Sequence, residues 1–116
     1  MHVVKKTENV AVIVVDPALA HGGPEQLESL KQLCTDLQAE GYTRFLLDMA
    51  GIGHAPSLVL GNIIVLQKRV KMRDGEIAIL NPSAMLRRIL SITEMDKMLR
   101  IYDDEDQAVR ALATTT

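Results

Sequence analysis

Tryptophan is missing from this chain of 116 residues, and the other aromatic residues number three: Tyr42, Phe45 and Tyr102. So thin a supply does not build the stacked platform on which single-stranded nucleic acid is held. Charge of one sign is lacking too. Thirteen Lys and Arg stand against fifteen Asp and Glu, for a net charge of −2, where a nucleic-acid clamp needs a strong basic excess. Cysteine occurs once, at Cys34, so no internal disulfide can form and a reducing cytosol is the expected setting. The longest apolar stretch, residues 58–66, is interrupted by Gly61-Asn62 and closed by Lys68, well short of the roughly 20 residues that cross a bilayer. The amino end, M-H-V-V-K-K, passes directly into polar residues and carries no signal-peptide pattern. His2, His21 and His54 have no metal-ligand spacing, no CxxC partner exists, and neither GxxxxGKS nor a complete GxGxxG occurs. The expectation is a protein with no metal, no cofactor, no nucleic-acid partner and no membrane span.

What is present is enough for one folded domain over residues 1–116, with 47% hydrophobic and 24% charged residues. Residues 2–6 suit a short edge strand with Lys5 and Lys6 toward water, paired as a hairpin with the interior strand V-A-V-I-V-V at 10–15. Pro24 opens a helix whose stripe is Leu27, Leu30, Leu33, Cys34 and Leu37, and Gly41 ends it. Residues 44–49 form a second interior strand ending near Asp48, and 76–80 (E-I-A-I-L) a third. Asn81-Pro82-Ser83 starts a helix with Met85, Leu86, Ile89 and Leu90 on its apolar side. Residues 98–102 make a last short strand. The run Asp103-Asp104-Glu105-Asp106 reads better as the first turn of a final helix, where the dipole favours acids, than as a metal site. Strands alternating with helices give an α/β layer structure.

The chain is organised around residues 42–70. A strand ends at Asp48, Gly51 and Gly53 punctuate a turn, and Pro56-Ser57 leads into a helix with Ser57 as its N-cap. Leu58, Val59, Leu60, Ile63, Ile64, Val65, Leu66 and Val70 cover most of that helix's circumference, which predicts a largely buried element. One hydroxyl thus stands at the positive end of a helix dipole. Ser57, His54 and Asp48 could be drawn as a hydrolytic triad, but no G-x-S-x-G elbow surrounds the serine. Asp48 in a chain of this size also suggests a phosphate-accepting receiver. That chemistry needs an acidic pair after the first strand, and here Asp16 is followed by Pro17.

Several segments, in this order, resemble the STAS domain family, whose founding members are bacterial anti-sigma factor antagonists. The family has a strand ending in D-L-S-G, a four-residue bridge, and D-S-S-G-L-G opening a helix. This chain has D-M-A-G at 48–51, I-G-H-A at 52–55 and P-S-L-V-L-G at 56–61. Downstream, G-E-I-A-I-L-N-P at 75–82, M-L-R-R-I-L-S-I-T-E-M-D-K at 85–97 and M-L-R-I-Y-D-D-E-D-Q-A at 98–108 resemble the family's later motifs. The match covers residues 9–112.

The resemblance implies a STAS-like α/β fold: a mixed four- to five-stranded β-sheet with about four α-helices mainly on one face. It also implies a non-enzymatic, cytoplasmic protein, a monomer or weak dimer, whose partner is an anti-sigma factor. In switched members that factor is a serine kinase, and it phosphorylates the serine that corresponds to Ser57. The implied partner surface is Gly53, His54, Ala55, Pro56, Ser57 and Leu58, with His21 from the neighbouring loop. This chain has Pro56 where the family has an acid, Leu58 for the second serine and Val59 for the glycine after it. The alternatives are a STAS interaction module without a serine switch and, in another class, a small hydrolase using Ser57 and His54.

Overall fold

The computed structural model describes the backbone of residues 2–7, 9–18, 24–53 and 57–114, and the side chains of 9–18, 25–53 and 59–113. The order of elements is β1 (His2–Thr7), β2 (Val10–Val14), α1 (Pro24–Ala39), β3 (Arg44–Asp48), α2 (Ser57–Lys71), β4 (Glu76–Leu80), α3 (Ala84–Ile92), β5 (Arg100–Tyr102) and α4 (Glu105–Thr114). A 3-10 turn, Met95–Lys97, precedes β5. The five strands lie in the order of the chain. β1 and β2 are antiparallel, with a register irregularity between Val3 and Lys5, while β2, β3, β4 and β5 run parallel. The sheet is therefore mixed, as expected.

The interior strands are apolar almost throughout because both faces of the sheet are covered. Alternate residues serve opposite faces. Ala11, Ile13, Val15, Phe45, Leu47, Ile77 and Ile79 belong to one cluster with Leu30, Cys34 and Leu37 of α1, Val59, Leu60 and Ile63 of α2, and Leu86 and Leu90 of α3. Val10, Val12, Leu46, Ala78 and Leu80 belong to another with Ala108, Val109 and Leu112 of α4. Three helices thus cover one face and one covers the other.

Local chemistry sets the boundaries. Gly41, at φ +102°, ends α1. The Tyr42 N–H donates to the Leu37 carbonyl and the Gly41 N–H to the Gln38 carbonyl, both at 3.0 Å, which is the paired geometry of a Schellman stop. Gly75 is required by space: a Cβ there would stand 2.5 Å from the Thr43 carbonyl oxygen and 2.6 Å from a Val70 methyl. Asp104 caps α4, accepting the Gln107 N–H at 3.2 Å, and Glu105 and Asp106 fill its first turn. The acidic run therefore starts a helix.

Three expectations shift. Val65 is 51% exposed because it lies on the side of α2 away from both α1 and the sheet, with Met72 one heptad further on. Met85 is 55% exposed, since Leu86 and Leu90 alone are buried among the residues of α3. β5 begins at Arg100 rather than at 98, because Met98 and Leu99 donate their N–H groups to Met95 in the 3-10 turn and are drawn out of the ladder.

Candidate functional site

Parallel strands bring their carboxyl ends to one edge, and in open α/β sheets that edge is where loops build sites. Here the segments after β2, β3 and β4 meet there. Each is shaped by a short polar contact. The Asp16 carboxylate accepts the Ala18 N–H at 2.8 Å, and the Asp48 carboxylate accepts the Ala50 N–H at 3.0 Å. These side chains fold the backbone back on itself as soon as each strand ends. After β4, Asn81 does so with a positive φ of 52° while its N–H donates to the Tyr102 carbonyl at 2.9 Å.

The turn after β3 is anchored from within. Ile52 is fully buried, and its N–H donates to the Met49 carbonyl at 2.9 Å. A glycine-rich run that reads as loose in the sequence thus holds a core residue between its two glycines. A Cβ on Gly51 would lie 3.5 Å from the Pro17 ring, so the turn after β3 packs beside the segment after β2. Gly53 is exposed, and its carbonyl accepts the Ser83 hydroxyl at 2.8 Å. The same Ser83 oxygen accepts the Leu86 N–H at 3.1 Å as the N-cap of α3. One side chain therefore fastens the turn before α2 to the start of α3. Sequence marks Ser83 as a helix start, but nothing local to it points to Gly53, thirty residues away.

Ser57 is the first residue of α2, one position inside the N-cap expected for it. Val59 and Leu60, 0% and 2% exposed, seat that end of the helix in the core. Among the expected partner residues, Gly53 is brought to the rim beside Ser83. His21, His54, Ala55 and Pro56 lie outside the described residues, as do the side chains of Ser57, Leu58, Lys5 and Lys6. Among the described residues, no helix is long and apolar enough to cross a membrane.

The chain matches the STAS domain family model over residues 3–108. A candidate anti-sigma factor antagonist of Thermotoga neapolitana is 33% identical to it over 70 residues, which is 60% of this chain and 62% of that protein. The matched segment thus spans about 62% of the length of the curated relatives. The crystal structure of a candidate anti-sigma factor antagonist of Thermotoga maritima superposes with a TM-score of 0.73 at 22% identity, covering 93% of this chain and 91% of that one. The Bacillus cell fate determinant SpoIIAA, in its phosphorylated form, superposes with a TM-score of 0.67 at 15% identity, covering 95% and 96%. At such identities the shared property is the fold.

Proposed function

Because the chain belongs to the STAS domain family, we propose that it is a cytoplasmic anti-sigma factor antagonist that acts by binding an anti-sigma factor, with Ser57 as the residue whose phosphorylation ends the complex. The partner surface is the 53–58 segment, the amino end of α2 and the neighbouring 16–23 loop. The observation that carries this reading is the hydrogen bond from Ser83 to the Gly53 carbonyl, which ties the backbone leading to Ser57 to a rigid helix start. A recognition loop held in this way loses less conformational entropy when a partner closes on it.

The electrostatics of a helix start fit a switch. A phosphate on Ser57 brings roughly −1.5 to −2 charges. The folded domain tolerates it, since a helix amino terminus favours an anion by about 0.3–1 kcal/mol. A partner covering the same patch has to desolvate that charge, at a cost of several kcal/mol. Phosphorylation therefore breaks the complex while leaving the protein folded.

A second reading, a STAS interaction module without the switch, draws on Pro56, Leu58 and Val59 in place of the family's polar residues and glycine. The fully buried Val59 commits that turn of the helix to the core. Affinity capture from the protein's own cells separates the two. The first reading expects wild type to retain an anti-sigma factor with serine kinase activity and Ser57→Asp to lose it. Equal capture by both proteins favours the module without a switch. A hydrolase would instead label at Ser57 with a fluorophosphonate.

A further inference from the structure

At the far end of α2 from Ser57, twelve residues and so about 18 Å along the helix axis, the chain changes character. Lys68, Arg69 and Lys71 close the helix, and Arg73 follows. Cations at a helix carboxyl end ordinarily do no more than offset its dipole. Here the end is already closed by N–H groups: Arg73 and Gly75 both donate to the Val70 carbonyl, and Asp74 to that of Lys71, each at 3.0 Å.

Two of these cations have another setting. A cleft of about 280 Å³ lies between α1 and α2. Lys31, Thr35 and Gln38 line it from one face of α1, Arg69 lines it from the last turn of α2, and Arg73 lines it from the turn that follows. Cys34, Leu66 and Val70, all buried, form its apolar part. No carboxylate is among the lining residues, and among the described residues Lys31, Arg69 and Arg73 make no ion pair. The Gln38 side-chain nitrogen is closed off from solvent and has no hydrogen-bond acceptor among the described residues. A buried donor left unmatched is costly and rare in a native fold.

We infer that this cleft is a binding site for a small phosphomonoester, the dianionic phosphate held by Arg69, Arg73 and Lys31 and the apolar body lying against Cys34, Leu66 and Val70. Two guanidinium groups lining one cleft, from the end of α2 and the turn after it, offer the planar paired donors that phosphate oxygens accept best, and the lysine adds a point charge. Turning the Gln38 amide toward the cleft it lines gives the nitrogen an acceptor on the ligand. The assignment does not depend on the reading of Ser57.

Phenyl phosphate is a suitable probe, titrated at constant ionic strength into isotope-labelled protein while amide shifts are followed by NMR. The expected result is a saturable shift concentrated on residues 31–38 and 66–73. Arg69→Gln with Arg73→Gln weakens binding roughly tenfold or more, the loss expected for charge-assisted hydrogen bonds. Gln38→Leu weakens it with no change in net charge. Lys68→Gln with Lys71→Gln removes the same charge from the same turn outside the cleft and leaves the midpoint where it was. Non-saturable shifts overturn the assignment. So does an equal loss in both double variants, which identifies a diffuse field rather than a site.

Discussion

The two faces of the sheet are made from alternate residues of the same strands, yet they are finished differently. Beneath α1, α2 and α3, Phe45, Leu47, Ile77 and Ile79 pack into a broad core that continues into the loops through Ile52. Beneath α4, Val10, Val12, Leu46, Ala78 and Leu80 meet Ala108, Val109 and Leu112, and the cluster ends there. The contacts that seat the turn before α2 belong to the first side: Ile52 from within, Ser83 from the start of α3, and Val59 from the start of α2. The α4 side is a cover, whereas the three-helix side positions the proposed recognition surface. Substitutions of like kind on the two sides should therefore have like effects on stability and unlike effects on binding.

The largest effect on stability comes from opening either core. Leu30→Ala in α1 and Leu112→Ala in α4, both buried, each cost about 2–5 kcal/mol in urea unfolding. The comparison fails if Leu112→Ala, measured where the protein remains folded, also weakens partner binding. A smaller, pH-dependent effect belongs to Cys34 on the three-helix side. Burial pushes its thiol from 9.0 up to about 12. The folded state then keeps a proton that the unfolded chain releases, so stability declines as pH rises from about 9 toward 12, by up to about 1.4 kcal/mol per pH unit. Cys34→Ala should flatten that slope, as read from denaturation curves at pH 8, 9 and 10.

Helix caps give a finer comparison. Ser83→Ala and Asp104→Ala each remove an N-cap oxygen, from α3 and α4, and each should cost roughly 1 kcal/mol in thermal unfolding. Only Ser83→Ala also releases Gly53, so it alone should reduce affinity for the partner. Equal binding by the two variants would mean that the tie to Gly53 does not shape the surface.

Much of this division is legible in the sequence. The near-continuous apolar runs V-A-V-I-V and E-I-A-I-L announce strands buried on both sides, and the Leu30, Cys34, Leu37 stripe announces a helix on one of them. Gly41 and the acidic start of α4 are equally plain, because each follows from a local rule of backbone or dipole. Contacts between distant segments are not legible. Ile52 reads as part of a turn because its flanking glycines are local signals, whereas its burial depends on how the whole layer closes. Val65 and Met85 read as core because composition does not say which side of a helix faces out. The bond from Ser83 to Gly53 joins two loops through tertiary structure, and no spacing in the chain encodes it.

Titration of the anti-sigma factor with wild type, Ser57→Ala and Ser57→Asp, beside thermal unfolding of each, tests the central claim most directly. The account predicts that Ser57→Ala binds as wild type does and that Ser57→Asp binds at least tenfold more weakly, while all three unfold within a few degrees of one another. Ser57→Asp binding as tightly as wild type would contradict it, since Ser57 would then start a helix and play no part in recognition.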